Sequence, residues 1–426
     1  MNELQQGLEA ARSARRRVLE ARTTEEIILA LAKSAALWRN PTSQARRSLV
    51  PQLAQALRLA PGMVEVALNM IFAPLEADAI RALVVREAPG SSALEPTAGP
   101  ARSLGPEVVA HRLAGNVPGQ AIAPIVTCLL ARSVCLLRES VRQPLLTDAF
   151  LTTLAEHDSD LAAMVITANW PATDPGTEAW VMAQASRIEV YGSDETVAGL
   201  SSRYGASAGI EIVTHGSRQS LAYVATGAGS EATTSALAGD IVMYEGQGCL
   251  SPGHIVVEGT RDQARRLAAL LATALEQAEQ SWPRQRCDLE TEARRRGELA
   301  RREWLAIEGG AGGDLTGKGE AWHISVDSAQ KDTALMPGPG TRVVTVLAAG
   351  SRRRALALCR NTRHPLAGVA LACSKDERAG LAASLTEAGA TLVCLPGTMQ
   401  APGLEWRQDG GRRLTDLLSW QRGRAA

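Results

Sequence analysis

From Glu107 to Val213 the chain alternates strand-like and helical runs. Strand-like runs cover Glu107–Leu113, Ser133–Leu137, Ala162–Thr167, Arg187–Tyr191 and Ile210–Val213. Helical patterns start near Gln120, cover Thr147–His157 and Glu178–Ser186, and resume after Gly192. Strands and helices alternating at this length require a mostly parallel sheet covered on both faces. Ligands of such sheets bind beyond the carboxyl ends of the strands. Asn116, Arg138 and Gly192-Ser193 all stand at strand ends, which makes them candidates for one shared crevice, and helix N-termini there favour phosphate.

A second α/β unit follows. Ser220–Val224 and His254–Glu258 read as strands. Thr260 and Gln263 form a capping box that starts a long amphipathic helix, with Ala264, Leu267, Leu271, Ala274 and Ala278 on one face. Leu289–Ile307 is a charged helix. Strand and helix then alternate through Arg342–Leu347, Arg352–Asn361, Gly368–Ala372, Glu377–Ala388 and Thr391–Leu395. The first ninety or so residues read as helices broken at Pro41 and Pro61, and 89–106, rich in proline and glycine, as a linker. The expected domains are 1–213 (helical region plus dinucleotide-binding domain), 214–405 (catalytic thiol domain) and a tail, 406–426, with a turn at Asp409-Gly410-Gly411 and a terminal helix. The glycine-rich loop 309–319 lacks the Ser/Thr of a P-loop and reads as a surface loop.

Between these halves lies Asp240-Ile-Val-Met-Tyr-Glu-Gly-Gln-Gly-Cys-Leu-Ser-Pro252. The apolar run Ile241–Met243 reads as a strand, preceded by a Gly/Ser/Thr-rich loop to Gly239, and it delivers Cys249 between glycines that permit a tight turn. A cysteine presented there is a candidate nucleophile, active as the thiolate. The bland alternative is a small buried hydrophobe, the reading given to Cys128, Cys135, Cys359, Cys373 and Cys394. Cys287, in a polar stretch, is expected to be exposed. Seven cysteines without paired spacing argue for a reducing compartment, and the lack of Cys-x-x-Cys or His-x-x-x-His argues against a metal site. Lys plus Arg equals Asp plus Glu, 45 each, so no global field recruits nucleic acid. With no apolar leader and no span-length apolar run, the expected location is the cytoplasm.

Four segments stand in order: Ala114-Gly-Asn-Val-Pro-Gly119, Tyr191-Gly-Ser-Asp-Glu-Thr-Val197, Thr214-His-Gly-Ser-Arg-Gln-Ser-Leu221 and Gly246-Gln-Gly-Cys-Leu-Ser-Pro252. The series resembles the LuxC-type acyl-CoA reductase family and, more distantly, the aldehyde dehydrogenase superfamily. Arg354-Ala-Leu-Ala-Leu-Cys-Arg-Asn-Thr-Arg-His-Pro-Leu-Ala-Gly368 is similar to a further superfamily segment. The likeness runs over about 105–412 and implies an aldehyde-dehydrogenase-like α/β fold, with a Rossmann-type cofactor domain and an α/β catalytic domain.

The resemblance implies Cys249 as nucleophile, with Asn116 donating to the oxyanion. It implies Gly192 and Ser193 against a dinucleotide, and Arg138 in the place of a lysine that contacts the adenosine ribose. The superfamily's general-base glutamate falls on His215. Without that glutamate a thioester on Cys249 persists and exchanges with a thiol carrier. His215 reads equally as an acid/base or as a satisfied histidine at a strand end. The expected activity is reduction of acyl-CoA, or an acyl-carrier thioester, to an aldehyde with NADPH. The rivals are a CoA-acylating aldehyde dehydrogenase using NAD and a subunit that only carries an acyl group. Superfamily relatives imply a homo-oligomer, although no protruding hairpin is evident before Asn116.

Overall fold

The structure is a computed structural model that describes residues 2–88, 91–101, 103–115, 117–139, 144–170, 174–205, 209–307, 314–330 and 333–422. The chain forms two compact units. The first comprises Met1–Leu57, Val64–Gly216 and Gly403–Ala426; the second comprises Arg58–Met63 and Ser217–Pro402. No helix among the described residues is long and apolar enough to cross a membrane.

The N-terminal segment folds as α1 (Asn2–Ala21), α2 (Thr24–Arg39), α3 (Gln44–Leu57), α4 (Pro61–Phe72) and α5 (Ala77–Glu87). A Thr23/Glu26 capping box starts α2. Pro41 lies in the turn after α2, and Pro61 opens α4, where a missing N–H costs nothing.

The first unit's sheet holds β1 (Val108–Arg112), β2 (Val134–Arg138), β3 (Val165–Thr167), β4 (Arg187–Tyr191) and β5 (Glu211–His215). All pairings are parallel and the order is β3-β2-β1-β4-β5. The helices between them are α6 (Ile122–Leu130), α7 (Pro144–Ala155), α8 (Ser159–Ala163), α9 (Pro175–Gln184) and α10 (Asp194–Tyr204). Strand alternation gives the sheet two different faces. Val108, Ala110, Val134, Leu136, Ile188 and Val190 form an apolar core with Leu8 and Ala11 of α1, Val181 and Met182 of α9, and Leu200 of α10. Each of the valines, leucines, isoleucine and methionine among them, fully buried, contributes about 1.5–3 kcal/mol. The opposite face carries His111, Cys135 and Glu189.

The second unit runs β6 (Gln219–Val224), α11 (Glu231–Val242), β7 (Pro252–Val257), α12 (Arg261–Ser281), α13 (Leu289–Ile307), β8 (Leu315–Thr316), β9 (His323–Ser328), β10 (Val343–Ala348), α14 (Arg352–Arg360), β11 (Leu366–Ala372), α15 (Arg378–Glu387) and β12 (Leu392–Cys394). The sheet order is β12-β11-β6-β7-β10-β9-β8, with only β8 antiparallel to its neighbour. The expected capping box at Thr260 opens α12. The chain ends in α16 (Thr415–Arg422), which belongs to the first unit.

Four local expectations fail. Ile241–Met243 is not a strand: α11 runs from a Ser230 N-cap through Val242, because a short buried apolar run suits either element and the cap decides. The Gly/Ser/Thr-rich loop expected before it is largely this helix. Ala162–Thr167 divides between α8, capped by Asp158, and the shorter β3. Cys287 is buried, because Gln247 Nε2 donates to its sulfur at 3.0 Å and Arg58 Nη1 donates to its carbonyl at 3.1 Å.

Candidate active site

In the second unit α11 ends at Val242 and the chain turns sharply into β7. Tyr244 (φ 55°, ψ 31°) and Glu245 (φ 55°, ψ 30°) are left-handed, and Gly246 follows at φ 66°. A non-glycine residue held there costs about 1–2 kcal/mol. A second left-handed run, Gly340 (φ 69°), Thr341 (φ 56°) and Arg342 (φ 60°), meets the first. Thr341 N–H donates to Glu245 O at 2.8 Å, and Arg342 Nη2 lies 2.9 Å from Glu245 Oε1 with both side chains buried. Arg342 also donates to Glu279 Oε2 at 2.5 Å and to Trp282 O at 2.9 Å. Burial raises the Glu245 carboxyl, and Arg342 opposes the shift. The strained turn is thus anchored by a buried ion pair.

Cys249 follows this turn at the head of β7 and is exposed. Its carbonyl accepts from the Ser220 hydroxyl at 2.7 Å, and Ser220 Oγ accepts from Gly368 N–H at 3.0 Å. Two neighbouring strands, β6 and β11, therefore hold the Cys249 backbone. A Cβ on Gly368 would stand 2.8 Å from Leu250 Cδ2 and 3.2 Å from Met399 Cε, so a side chain there would push on both. At the far end Asp240 accepts from Gly397 N–H (2.6 Å) and Met399 N–H (3.1 Å); burial still pushes its carboxyl up to about 7.

The other candidate residues from the sequence lie in the first unit. Gly192 and Ser193 follow the carboxyl end of β4. Gly192 N–H donates to His215 O at 3.2 Å, and Ser193 Oγ caps α10 by accepting from Thr196 N–H at 3.3 Å. Arg138, at the end of β2, donates through Nη2 to Trp170 O at 3.0 Å and lies 5.3 Å above that indole ring. Burial lowers its guanidinium pKa, with Arg112 adding to the effect. Asn116 lies outside the described residues.

His215 ends β5. Its Nδ1 is 2.5 Å from Asp409 Oδ2, its Nε2 is 3.9 Å from Glu189 Oε2, and its ring stacks on Tyr191 at 4.1 Å. Sequence reasoning did not find Asp409, Glu189, Ser220 or Arg342 as supports. The Asp-Gly-Gly turn was visible, but nothing local tied it to a residue so distant in the chain. Ser220 lies within the quoted segment around His215, where its hydroxyl resembles that of any strand serine.

A family model described as "Acyl-CoA reductase (LuxC)" matches residues 19–420. A long-chain acyl-protein thioester reductase of Aliivibrio fischeri is 25% identical over 147 residues, which is 34% of this chain and 30% of that relative. The match thus spans under a third of the curated relative. The fold is that of solved aldehyde dehydrogenases. An indole-3-acetaldehyde dehydrogenase complexed with NAD+ superposes with a TM-score of 0.72 at 14% identity, covering 98% of this chain and 87% of that one. An NADP-dependent glyceraldehyde-3-phosphate dehydrogenase from Bacillus halodurans, complexed with NADP, gives 0.69 at 15% identity, covering 93% and 83%.

Proposed function

The chain belongs to the acyl-CoA reductase (LuxC) family, and on that premise we propose that it reduces an acyl thioester to an aldehyde through an acyl group on Cys249. The observation that carries this reading is the Cys249 turn, with its cysteine exposed at a strand head and its backbone fixed by Ser220. The Cys249 thiolate attacks the thioester carbonyl carbon. A C–S bond to the enzyme forms, the bond to the carrier sulfur breaks, and the carrier leaves as a thiolate. Donors preorganised at the oxyanion are worth about 3 kcal/mol each in comparable sites. We assign them to the Asn116 amide and the Cys249 backbone N–H, as the family likeness implies.

The first unit fits a dinucleotide cofactor. In its strand order the chain reverses direction of growth at β1, between β2 and β4, and such switch points carry nucleotide crevices at the carboxyl ends of the strands. The α10 N-terminus follows β4 there, and a Cβ on Gly192 would crowd Thr196 Cγ2 at 3.1 Å, so glycine lets the chain turn tightly into the helix. Gly192, Ser193 and Arg138 would hold the cofactor, which we take to be NADPH. When bound, its nicotinamide supplies the hydride that converts the acyl group to the aldehyde level. His215 replaces a water-activating glutamate, so the thioester on Cys249 is spared hydrolysis. Held by Asp409, His215 is the group we assign to proton transfer.

The substrate class we propose is a long-chain acyl thioester on CoA or a carrier protein, after the Aliivibrio fischeri relative. We further propose a homo-oligomer working in the cytoplasm. The test is consumption of NADPH and of NADH with acyl-CoAs of graded length and with an acyl-carrier protein. Aldehyde formation with NADPH preferred is the expected result. NAD-driven oxidation of aldehydes with no measurable reduction contradicts the reading, and so does Cys249 acylation with neither cofactor consumed.

A further inference from the structure

Three ligand-type side chains that the reaction does not use meet inside the first unit. His111 comes from β1, Cys128 from α6 and Cys135 from β2, and all three are buried. Their ligand atoms lie within 4.8 Å of one another, and His111 Nε2 is 3.3 Å from Cys128 Sγ. The meeting follows from the register. Val109 pairs with Cys135 and His111 pairs with Glu189, so His111, Cys135 and Glu189 share one sheet face. On the other side of the ring, His111 Nδ1 faces Glu189 Oε2 at 3.4 Å, and Glu189 is held by Arg187 at 3.1 Å.

We propose that His111, Cys128 and Cys135 bind one thiophilic metal ion, Zn2+ or Cu+, within the cofactor-binding unit. Donor atoms around one zinc, at roughly 2.0–2.3 Å from the metal, stand a little under 4 Å apart; here one pair is 3.3 Å apart and all three atoms lie within 4.8 Å. Thiolates and imidazole form the donor set that Zn2+ and Cu+ favour. Glu189 occupies the place of the carboxylate that commonly orients a ligand histidine and raises its basicity. Read as plain core, the two cysteines need no imidazole beside them, yet Cys128 Sγ stands 3.3 Å from His111 Nε2. Each cysteine that ligates the ion gives its proton to solvent, and no electron moves. The expectation of no metal came from sequence-adjacent ligand spacings, which three separate elements do not produce.

The test uses the full chain, stripped with a chelator under reductant. It is titrated with Zn2+, with Cu+ under anaerobic conditions, and with Co2+ as a spectroscopic probe, and bound metal is counted by mass spectrometry. The expected result is about one ion per chain, with a thiolate-to-cobalt charge-transfer band in the Co2+ form. Cys128→Ser and Cys135→Ser should abolish the band, and Glu189→Gln should weaken binding by about 10- to 100-fold. The tighter of Zn2+ and Cu+ identifies the ion. Uptake far below one ion per chain overturns the proposal, as does Co2+ bound without the band or binding retained in Cys128→Ser. If the cysteine variants do not fold, the wild-type Co2+ spectrum and the Glu189→Gln titration decide. A Cys128–Cys135 disulfide, with no metal uptake once it is reduced, also overturns it.

Discussion

His215 Nδ1 and Asp409 Oδ2 meet at 2.5 Å although 194 residues separate them. Asp409 makes this contact from a left-handed backbone (φ 56°, ψ 21°) in the Asp409-Gly410-Gly411 turn. Asparagine tolerates that conformation, so Asp409→Asn removes the charge and spares the turn. If His215 carries a proton in turnover, losing the group that fixes its tautomer should lower kcat by about 100-fold, the low end of acid–base contributions. KM for the thioester should change little. Steady-state kinetics across pH check this, and a wild-type kcat and pH profile would reduce His215 to a packing residue.

Ser220 and Gly368 set the Cys249 backbone. Ser220→Ala leaves the Cys249 carbonyl and Gly368 N–H without their shared partner, at a cost of about 1–3 kcal/mol. Gly368→Ala drives a methyl into Leu250 and Met399 and should shift the loop. A displacement near 1 Å at a reacting group costs about 100-fold in rate. Rapid-quench measurement of acylation should show a loss of that order in Gly368→Ala, with far-UV circular dichroism unchanged. A wild-type acylation rate would mean the loop absorbs the methyl.

The Glu245–Arg342 pair holds two left-handed turns together. Glu245→Ala leaves the buried Arg342 guanidinium with Glu279 and the Trp282 carbonyl, so the loss should be at most about 3–5 kcal/mol, the cost of a pair broken with its charge left unpaired. Urea denaturation should show that loss. A change below about 1 kcal/mol, the value of an exposed pair, would mean the pair does not anchor the turn.

Glu139 makes stability depend on pH. Burial pushes its carboxyl up to about 7, while the Thr147 hydroxyl partly opposes the shift. Between its ordinary value near 4.5 and about 7 the folded chain keeps a proton that the unfolded chain has lost, so stability falls as pH rises through this window. From pH 5 to pH 8 the group should remove roughly 1–3 kcal/mol. Glu139→Gln cannot ionise and should flatten the slope. Asp240, raised to about 7 with the same sign, leaves a residual slope. Parallel pH–stability curves for wild type and Glu139→Gln would rule out this assignment.

The parallel sheets could be read from the sequence because their strands are short apolar runs at regular spacing, and because caps such as Thr260 are local signals. The tight turn before the exposed Cys249 was legible through its flanking glycines. The helix α11 was not, since Ser230 as an N-cap looks like one more residue of a Ser/Thr-rich loop. Strand β9 went unread. The supports of the site, Asp409 on His215 and Arg342 on Glu245, are long-range pairs, and one chain without its fold carries no sign of which charges will meet. The His111–Cys128–Cys135 cluster was hidden for the same reason. Its members each look like core until the strand register sets His111 and Cys135 on one face and α6 brings Cys128 against them.

The most direct test of the central claim is intact-mass analysis of the chain mixed with a long-chain acyl-CoA in the absence of reductant, on wild type and Cys249→Ala. The account predicts an adduct of one acyl group on wild type, mapped to Cys249, that disappears when NADPH is added as aldehyde forms. It predicts no adduct and no turnover in Cys249→Ala. Full aldehyde formation by Cys249→Ala, or an adduct mapped to another residue and competent for reduction, would contradict it.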